Sequence, residues 1–486
     1  MAVSVQDVDL YVHNLQARMP FRYGIAEMTV MPHLFVFARC EIDGMSKVGV
    51  SADNLAPKWF TKDPQTTYQQ DLVEIIQVIK AACHFAGQVG EADSVFDLWQ
   101  SIYAQQMSWA ERHGYPPLLW SFGVSLVERA LMDAFCRVKE LPFATALRQN
   151  LFGIRLGDLH PQLAGHEPLE FLPHRPLDKI FVRQTVGLSD LITEDAIHVE
   201  DRLDDGLPQS LEAAIKTYKL TYFKVKIGGD SAEDIRRLKE ISALFDRLAL
   251  SDYAFTLDGN EQFNSAAAFK NFWEKLVHQA ALANFLGHML FVEQPLRRDI
   301  ALQEETQYSL LSWPDRPPII IDESDSQLDS LPAALACGYQ GTSHKNCKGV
   351  FKGIANACLL AQSARSEPDH VYILSGEDLI NIGPVSLIQD LAVMASLGIQ
   401  HVERNGHHYF TGLSMFPEQL QEQVLSEYPD LFHRHDLGFA ALKISSGAIS
   451  ADSLIQAPFG PKFQLDPTWL TPVEDWCFES LLVNPS

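Results

Sequence analysis

The sequence predicts a closed α/β barrel of eight parallel strands, preceded by an α+β domain. Short apolar runs alternate with helical stretches from residue 179 to residue 410, and eight such strands are enough to close a parallel barrel. An open doubly wound sheet could use the same pattern, but no G-x-G-x-x-G or Walker A loop supports it. The predicted strands begin at residues 179, 221, 253, 290, 318, 340, 370 and 399.

Residues 1–152 are predicted to form the α+β domain, because their strands come before their helices instead of alternating with them. Residues 5–13 alternate between apolar and polar. The dipeptide Asp43-Gly44 marks a hairpin turn between apolar runs at 34–42 and 47–50. Helical spacing follows at 66–86, 92–107 and 121–143.

Three segments lie outside these two units. Residues 153–178 are rich in His, Pro and Gly and are interpreted as a connector. Residues 188–210, after the first barrel strand, are strongly acidic, so we expect an exposed insertion. Residues 411–486 contain one predicted helix and no ninth strand-helix unit, so we expect this segment to pack back on the N-terminal domain.

Composition argues against nucleic acid and membrane partners. The 486 residues include 62 acidic and 38 basic side chains, a net charge of −24 that would repel a phosphate backbone. The N-terminus has no basic segment followed by an apolar one, and no apolar run reaches the roughly 18 residues that a membrane span needs. The seven cysteines are scattered without a C-x-x-C pair, which is typical of a reduced cytoplasmic protein.

Five charged residues stand at the ends of consecutive predicted strands. They are Lys226, Asp258, Glu293, Asp322 and Lys345. Their separations of 32, 35, 29 and 23 residues suit one strand, one helix and the return to the next parallel strand. Since side chains at the carboxyl ends of the strands share the open face of a barrel, we expect these five to converge there.

The carboxylates of Asp258, Glu293 and Asp322 indicate a site for a divalent cation. They would supply hard oxygen ligands, which suit Mg²⁺, with Mn²⁺ as a substitute. Three negative charges brought together also need a cation, because burial of an unpaired charge costs several kcal/mol.

Lys226 and Lys345 flank these acids in strand order, so they would face each other across the metal. A partly desolvated lysine beside other cations can have its pKa drawn down to roughly 7–8, as a general base requires. Lys224 shares a strand face with Lys226 and could hold it deprotonated by like-charge repulsion. A Schiff-base aldolase would need one buried lysine but has no use for three acids.

Ordered motifs across five strands resemble those of one enzyme superfamily. The patterns K-x-K, D-x-N, E-x-P and D-E-S occur in this order, followed by the sixth-strand lysine. Together with "VERALMDAFCRVKELPF" and the "MPFRYG" segment at 19–24, they resemble the enolase superfamily, in its muconate-lactonizing-enzyme-like subgroup. The resemblance implies a modified TIM barrel, (β/α)7β, with an N-terminal α+β capping domain. The motif residues are Lys224, Lys226, Asp258, Asn260, Glu293, Pro295, Asp322, Glu323, Ser324 and Lys345.

For chemistry, the resemblance implies removal of the proton α to the carboxylate of a small-molecule substrate, giving an enediolate. The three acids would bind Mg²⁺, while Lys226 and Lys345 would be acid/base catalysts on opposite faces of the substrate. Lys224 and the metal would stabilise the developing charge. Two lysines favour racemisation or epimerisation, since one can remove the proton and the other return it.

Other readings of the same site stay open. β-Elimination, as in an acid-sugar dehydratase, and cycloisomerisation use the same first step. A carboxylate-binding barrel without turnover is the non-enzymatic alternative. We also expect a homo-oligomer.

Substrate contacts are predicted on the loops around the site. Arg22 and Tyr23 would lie on a loop that closes the site, and Arg22 could bind a second anionic group. Asn260 belongs to the D-x-N motif. Glu377 or Asp378, after the seventh strand, could enter the pocket.

The identity of the sixth-strand base has two candidates. The segment "KNCKGVFKG" departs from the superfamily pattern K-x-x-K-x-G-G. Lys345 is preferred because it directly ends the predicted strand, and Lys348 is the alternative.

Overall fold

An antiparallel sheet begins the chain. In the computed structural model, which describes residues 1–23 and 26–482, three strands pair in consecutive order. The predicted hairpin is confirmed, because Asp43 and Gly44 both have positive φ, 51° and 78°, as a tight two-residue turn requires. The strands are β1 (Val3–Tyr23), β2 (Ala26–Ile42) and β3 (Met45–Asn54).

A layer of helices packs on this sheet, with α4 at its centre. Nearly every residue of α4 is buried, because it contacts the sheet on one side and two other helices on the other. Its packing on β3 is close at Gly49, where an added Cβ would lie 2.0 Å from the carbonyl oxygen of Ala130. The helices are α1 (Pro57–Thr61), α2 (Tyr68–Gln88), α3 (Val95–His113), α4 (Pro117–Lys139), α5 (Phe143–Arg148) and α6 (Leu156–Leu159).

Eight parallel strands close the barrel, as the sequence predicts. Each strand pairs with the next along the chain, and the last pairs back onto the first. The strands are β4 (Lys179–Val186), β5 (Tyr222–Lys226), β6 (Ala254–Asp258), β7 (Met289–Glu293), β8 (Ile319–Ile321), β9 (Gly341–His344), β10 (Ile373–Gly376) and β11 (His401–Glu403).

Helical connections alternate with these strands and give the predicted (β/α)7β order. Helix α14 is buried along its whole length, because it lies between the barrel and the elements β3 and α5 of the N-terminal domain. The helices are α7 (Leu211–Tyr218), α8 (Ser231–Arg247), α9 (Ala266–Val277), α10 (Ala283–Leu286), α11 (Glu304–Leu311), α12 (Ser330–Ala336), α13 (Val350–Ser366) and α14 (Ser386–Leu397). Within residues 1–23 and 26–482, no helix combines the length and apolarity that crossing a membrane would take.

The C-terminal segment contacts both the N-terminal sheet and the barrel. Strand β15 pairs with β1, and strand β14 pairs antiparallel with the start of β4. The backbone N–H of Phe143 also donates to the carbonyl oxygen of Pro458, at 2.8 Å. The elements after the last barrel strand are α15 (Gly406–Tyr409), α16 (Glu418–Glu427), β12 (Phe432–Arg434), β13 (Ala440–Leu442), β14 (Ala448–Ser450) and β15 (Thr471–Pro472).

The acidic insertion at 188–210 is anchored by polar contacts at both of its sides. Arg18 of β1 pairs with Asp205, with Nη2 at 2.9 Å from Oδ1, and its guanidinium also donates to nearby backbone carbonyls. The hydroxyl of Tyr409 donates to Oδ1 of Asp190 at 3.0 Å. The insertion therefore connects β1 to the short helix α15 that follows the last barrel strand.

Candidate functional site

The carboxyl ends of the barrel strands hold the five charged residues singled out in the sequence. Lys226, Asp258 and Glu293 are the last residues of β5, β6 and β7. Asp322 and Lys345 directly follow β8 and β9. The parallel register places Lys226 beside Asp258 and Asp258 beside Glu293. The alternation of strands and helices thus brings all five to one face of the barrel.

Lys224 lies at the centre of this face, one layer below Lys226. Its Nζ is 2.9 Å from Oδ2 of Asp258, 2.9 Å from Oε1 of Glu293, 2.8 Å from Oε2 of Glu377 and 2.9 Å from Oε2 of Glu403. Burial favours the neutral amine, but the four carboxylates outweigh it and raise the pKa of Lys224 well above its ordinary value. Lys224 is therefore a buried ammonium ion in this structure.

Lys226 forms an ion pair with an acid on the neighbouring strand. Its Nζ donates to Oδ2 of Asp258 at 2.5 Å and to Oδ1 of Asn260 at 2.6 Å. Burial and the charge of Lys224 both favour the neutral amine, but Asp258 outweighs them and raises the pKa of Lys226. The sequence shows the neighbour along the strand, Lys224, but not the partner across the sheet, Asp258, and the two shift the pKa of Lys226 in opposite directions.

Lys345 reaches the pocket, whereas Lys348 lies behind the acid that both contact. The Nζ of Lys345 is 2.6 Å from Oδ2 of Asp322 and 2.9 Å from Oε2 of Glu377. Lys348 donates to the backbone oxygen of Asp322 at 3.1 Å and to its Oδ1 at 3.0 Å, beside Ser343. Burial opposes the charge of Lys345, but the two carboxylates raise its pKa well above the ordinary value. The geometry favours Lys345 over Lys348 for contact with a substrate.

Three of the acids form a group that could hold a metal ion. Among the residues described, ligand oxygens of Glu293, Asp322 and Glu377 all lie within 4.8 Å of one another. Oε2 of Glu293 is buried and accepts no hydrogen bond. Burial and the nearby Glu377 raise the pKa of Glu293 well above its ordinary value, whereas lysines hold the pKa of Asp322 below its own. Three buried carboxylates with an unused oxygen fit a hard divalent cation.

The geometric group differs from the set named in the sequence at one position. Glu293 and Asp322 belong to both sets, but Glu377 takes the place of Asp258. The carboxylate of Asp258 is engaged by Lys224 and Lys226, which hold its pKa below the ordinary value despite burial. Glu377 follows β10 directly, and the sequence predicts only a substrate contact for it.

Glu403 is a site residue that sequence reasoning missed. It ends β11, and its Oε2 is 2.9 Å from Nζ of Lys224. Its other oxygen, Oε1, accepts hydrogen bonds from the hydroxyl of Thr185 and, at 3.0 Å, from Nδ2 of Asn405. The signal was present in the sequence, because the predicted eighth strand contains "HVE" and so ends in an acid, like several of the strands before it.

A small pocket of about 50 Å³ opens above these charges. Its floor is polar and includes the three lysines. Its roof is apolar and comes partly from the N-terminal domain. Floor residues are Lys224, Lys226, Asn260, Lys345, Asp378, Glu403 and Asn405, and roof residues are Phe21, Ala56, Trp59, Leu379 and Ile380.

Of the predicted substrate contacts, Asn260 and Asp378 line this pocket. Asn260 connects two groups, since its Oδ1 accepts from Lys226 and its Nδ2 donates to Oε1 of Glu323 at 3.2 Å. Asp378 forms an ion pair with Arg404, and burial raises its pKa to about 7.

The two remaining substrate contacts predicted from the sequence are Arg22 and Tyr23. Their side chains lie outside the part of the chain that the structure describes. Their assignment to a closing loop stays a prediction.

The loop after β7 holds the backbone of Asp322, one of the metal-ligand candidates. Gln294 has a left-handed backbone, with φ 35°, which is rare outside glycine. Its side-chain oxygen accepts from the backbone N–H of Asp322 at 2.8 Å and from that of Ser324 at 3.1 Å. The strained position therefore serves to fix the strand end that carries Asp322.

Many solved structures share this fold, although no protein-family model and no curated protein matches the sequence. A mandelate racemase/muconate lactonizing protein from Herpetosiphon aurantiacus is 16% identical. The match covers 94% of this chain and 98% of that chain, with a TM-score of 0.57.

Two further similar structures have a named activity or bound ligands. An enolase from Bradyrhizobium, complexed with magnesium and mandelic acid, is 13% identical over 93% of this chain and 94% of that chain, with a TM-score of 0.56. The N-succinyl Arg/Lys racemase from Bacillus cereus is 16% identical over 93% and 97%, with a TM-score of 0.55. The chain therefore has the fold of the mandelate racemase and muconate lactonizing enzymes of the enolase superfamily, a barrel with an N-terminal capping domain.

Proposed function

We propose that this protein is an Mg²⁺-dependent enzyme that removes the proton α to a substrate carboxylate, giving an enediolate, and that it racemises or epimerises its substrate. The observation that carries the proposal is the placement of Lys226 and Lys345. Lys226 ends the second and Lys345 follows the sixth of eight barrel strands, so they lie on opposite sides of one pocket. The racemase and the magnesium complex among the similar folds support the same chemistry.

In the proposed reaction, Lys226 and Lys345 exchange roles as base and acid. One lysine takes the α-proton from its face of the substrate, and the other delivers a proton from the opposite face. The base must first lose its own proton, and the neighbouring charge of Lys224 favours that loss at Lys226. Lys224 then remains as a fixed positive charge below the substrate carboxylate.

Glu293 and Asp322 would hold the metal, with a third carboxylate beside them. The superfamily pattern assigns the third ligand to Asp258, and the distances in this structure favour Glu377. When bound, Mg²⁺ or Mn²⁺ would stabilise negative charge that develops on the substrate carboxylate.

β-Elimination is the second candidate, and it would give Lys345 a different task. Lys345 is held as an ammonium ion by Asp322 and Glu377, so it could protonate a leaving group on the β-carbon instead of returning a proton to the α-carbon. Cycloisomerisation would use the same two lysines, Lys226 and Lys345.

Exchange of the α-proton in D₂O tests the proposal. A library of chiral carboxylates is incubated with Mg²⁺-loaded protein, and deuterium uptake, loss of optical purity and loss of water are followed by mass spectrometry and chiral chromatography. Deuterium uptake with loss of optical purity is expected, and loss of water would favour elimination. Absence of all three for every carboxylate, together with measurable ligand binding, would favour a carboxylate-binding barrel without turnover.

A further inference from the structure

An aromatic residue of the N-terminal domain contacts one of the two lysines. Trp59 lies in the short helix α1, which begins with a proline that suits a first turn. The Nζ of Lys345 stands over its indole ring, 4.4 Å from the ring centroid. Trp59 is only 8% exposed, so this cation–π contact is shielded from water, where such contacts are strongest.

The position of helix α1 is set by the barrel rim. The guanidinium of Arg298, after β7, donates to the carbonyl oxygens of Trp59 at 3.0 Å and of Phe60 at 2.6 Å. Arg298 is itself fixed by a two-point ion pair with Glu261, with both nitrogen–oxygen distances at 2.8 Å. Lys62, which ends the helix, pairs with the same Glu261 at 2.8 Å. The indole ring is therefore held by contacts on the barrel side of the domain boundary.

Lys226 and Lys345, on the two sides of the pocket, are held by different contacts. Lys226 is held by Asp258 and Asn260, both from the barrel. Lys345 is held by Asp322, by a second carboxylate and by the ring of Trp59. Removal of the ring would therefore loosen the ammonium group on the sixth-strand side and leave the contacts of Lys226 in place.

We propose that Trp59 is a positioning residue for Lys345, holding its ammonium group against the roof of the pocket at the side from which it meets the substrate. The inference rests on the proposed function, because it requires that the two lysines serve opposite faces. It assigns to the N-terminal domain a direct part in proton transfer at one face only.

The test compares the two enantiomers of a substrate found in the exchange library. Variants Lys226→Ala and Lys345→Ala first show which enantiomer depends on which lysine. In Trp59→Leu, the initial rate of exchange from the Lys345-dependent enantiomer should fall roughly tenfold relative to the other enantiomer. Trp59→Phe keeps an aromatic face and should restore most of that ratio.

One control variant and one replacement variant separate a positioning role from a general loss of structure. Trp109→Leu removes a tryptophan from helix α3 of the same domain, away from the pocket lining, and should leave the ratio of the two rates unchanged. If Trp59→Leu does not fold, Arg298→Met keeps the ring but frees the carbonyl oxygens of α1, and it should lower the same ratio.

The opposing outcomes are distinct. Equal slowing of both enantiomers in Trp59→Leu, or no change in their ratio, would overturn the positioning role while the proposed function stands. Exchange that is absent in wild type for every carboxylate would overturn the proposed function, and the role of Trp59 with it.

Discussion

Asp258 and Glu377 share one cation: Nζ of Lys224 lies 2.9 Å from Oδ2 of the first and 2.8 Å from Oε2 of the second. The two acids come from the third and the seventh barrel strands, so this lysine connects opposite sides of the site. As the third metal ligand, either acid would share its carboxylate between Lys224 and the metal.

Calorimetric titration with Mg²⁺ identifies the third ligand. Glu293→Gln and Asp322→Asn should each weaken binding at least about tenfold, because both residues belong to every candidate set. A comparable loss in Asp258→Asn alone would support the set named in the sequence, and a loss in Glu377→Gln alone would support the set given by distance. Glu403→Gln is the matched control, since it contacts Lys224 but belongs to neither set.

The two lysines proposed as acid/base catalysts should differ in which enantiomer they serve. Lys226→Ala and Lys345→Ala should each lower exchange from one enantiomer by roughly 10²–10⁴-fold, the usual contribution of general acid–base catalysis. Lys348→Ala should slow both enantiomers alike, because Lys348 acts through Asp322. Exchange that survives removal of both Lys226 and Lys345 would exclude them as the bases.

Glu128 should make the stability of the protein depend on pH. This residue of α4 is buried, its Oε1 accepts the N–H of Phe351 at 2.5 Å, and burial raises its pKa to about 8 from an ordinary 4.5. Because the folded-state pKa is the higher one, this stabilising contribution is complete below about pH 4.5 and is lost as the pH rises through 8. Between those values, wild type should lose roughly 2–5 kcal/mol of unfolding free energy relative to Glu128→Gln.

Urea unfolding at several pH values measures this difference. The glutamine variant is the control for shape, since it is neutral at every pH. If the free energies of unfolding of the two proteins changed in parallel with pH, Glu128 would have an ordinary pKa in the folded protein.

Arg18 should be essential for holding the insertion. Its side chain is 3% exposed and pairs with Asp205. Arg18→Met should lower the free energy of unfolding by about 2–4 kcal/mol, because it leaves a partly buried carboxylate and backbone oxygens without their donor. It should also speed protease cleavage within 188–210. Arg236→Met removes an exposed ion-paired arginine from α8 and should change neither property measurably.

Two glycines of the N-terminal domain should respond oppositely to alanine. Gly49→Ala would place a Cβ 2.0 Å from the oxygen of Ala130 and should cost about 2–4 kcal/mol of stability. Gly87 lies in helix α2 with no atom within 4 Å of an added Cβ. Gly87→Ala should therefore stabilise the protein by about 0.5–1 kcal/mol, as read from thermal unfolding.

The barrel and its charged face could be predicted because both follow from local pattern. A parallel strand buried on both sides is a short apolar run, and the first charged residue after it marks the carboxyl end. That rule placed Asp258 and Lys345 on the open face. Applied to the eighth strand, the same rule places Glu403 there as well.

The remaining features of the site depend on contacts between distant segments. The protonation of Lys226 depends on Asp258, its partner across the sheet, whereas the sequence showed only Lys224 beside it. The choice between Lys345 and Lys348 depends on where β9 ends and the following turn begins. The sequence does not indicate that Trp59 contacts Lys345, because its place over that lysine depends on Arg298 and on the docking of one domain on the other.

The positive charge of Lys224 bears on whether the barrel can fold without a metal ion. Four carboxylates converge on it, so the acidic face of the barrel has a counter-charge that is part of the chain itself. Sites built from unpaired acids need their ion before they can fold, because the binding free energy is also folding free energy. We therefore expect the barrel to fold before any metal ion binds.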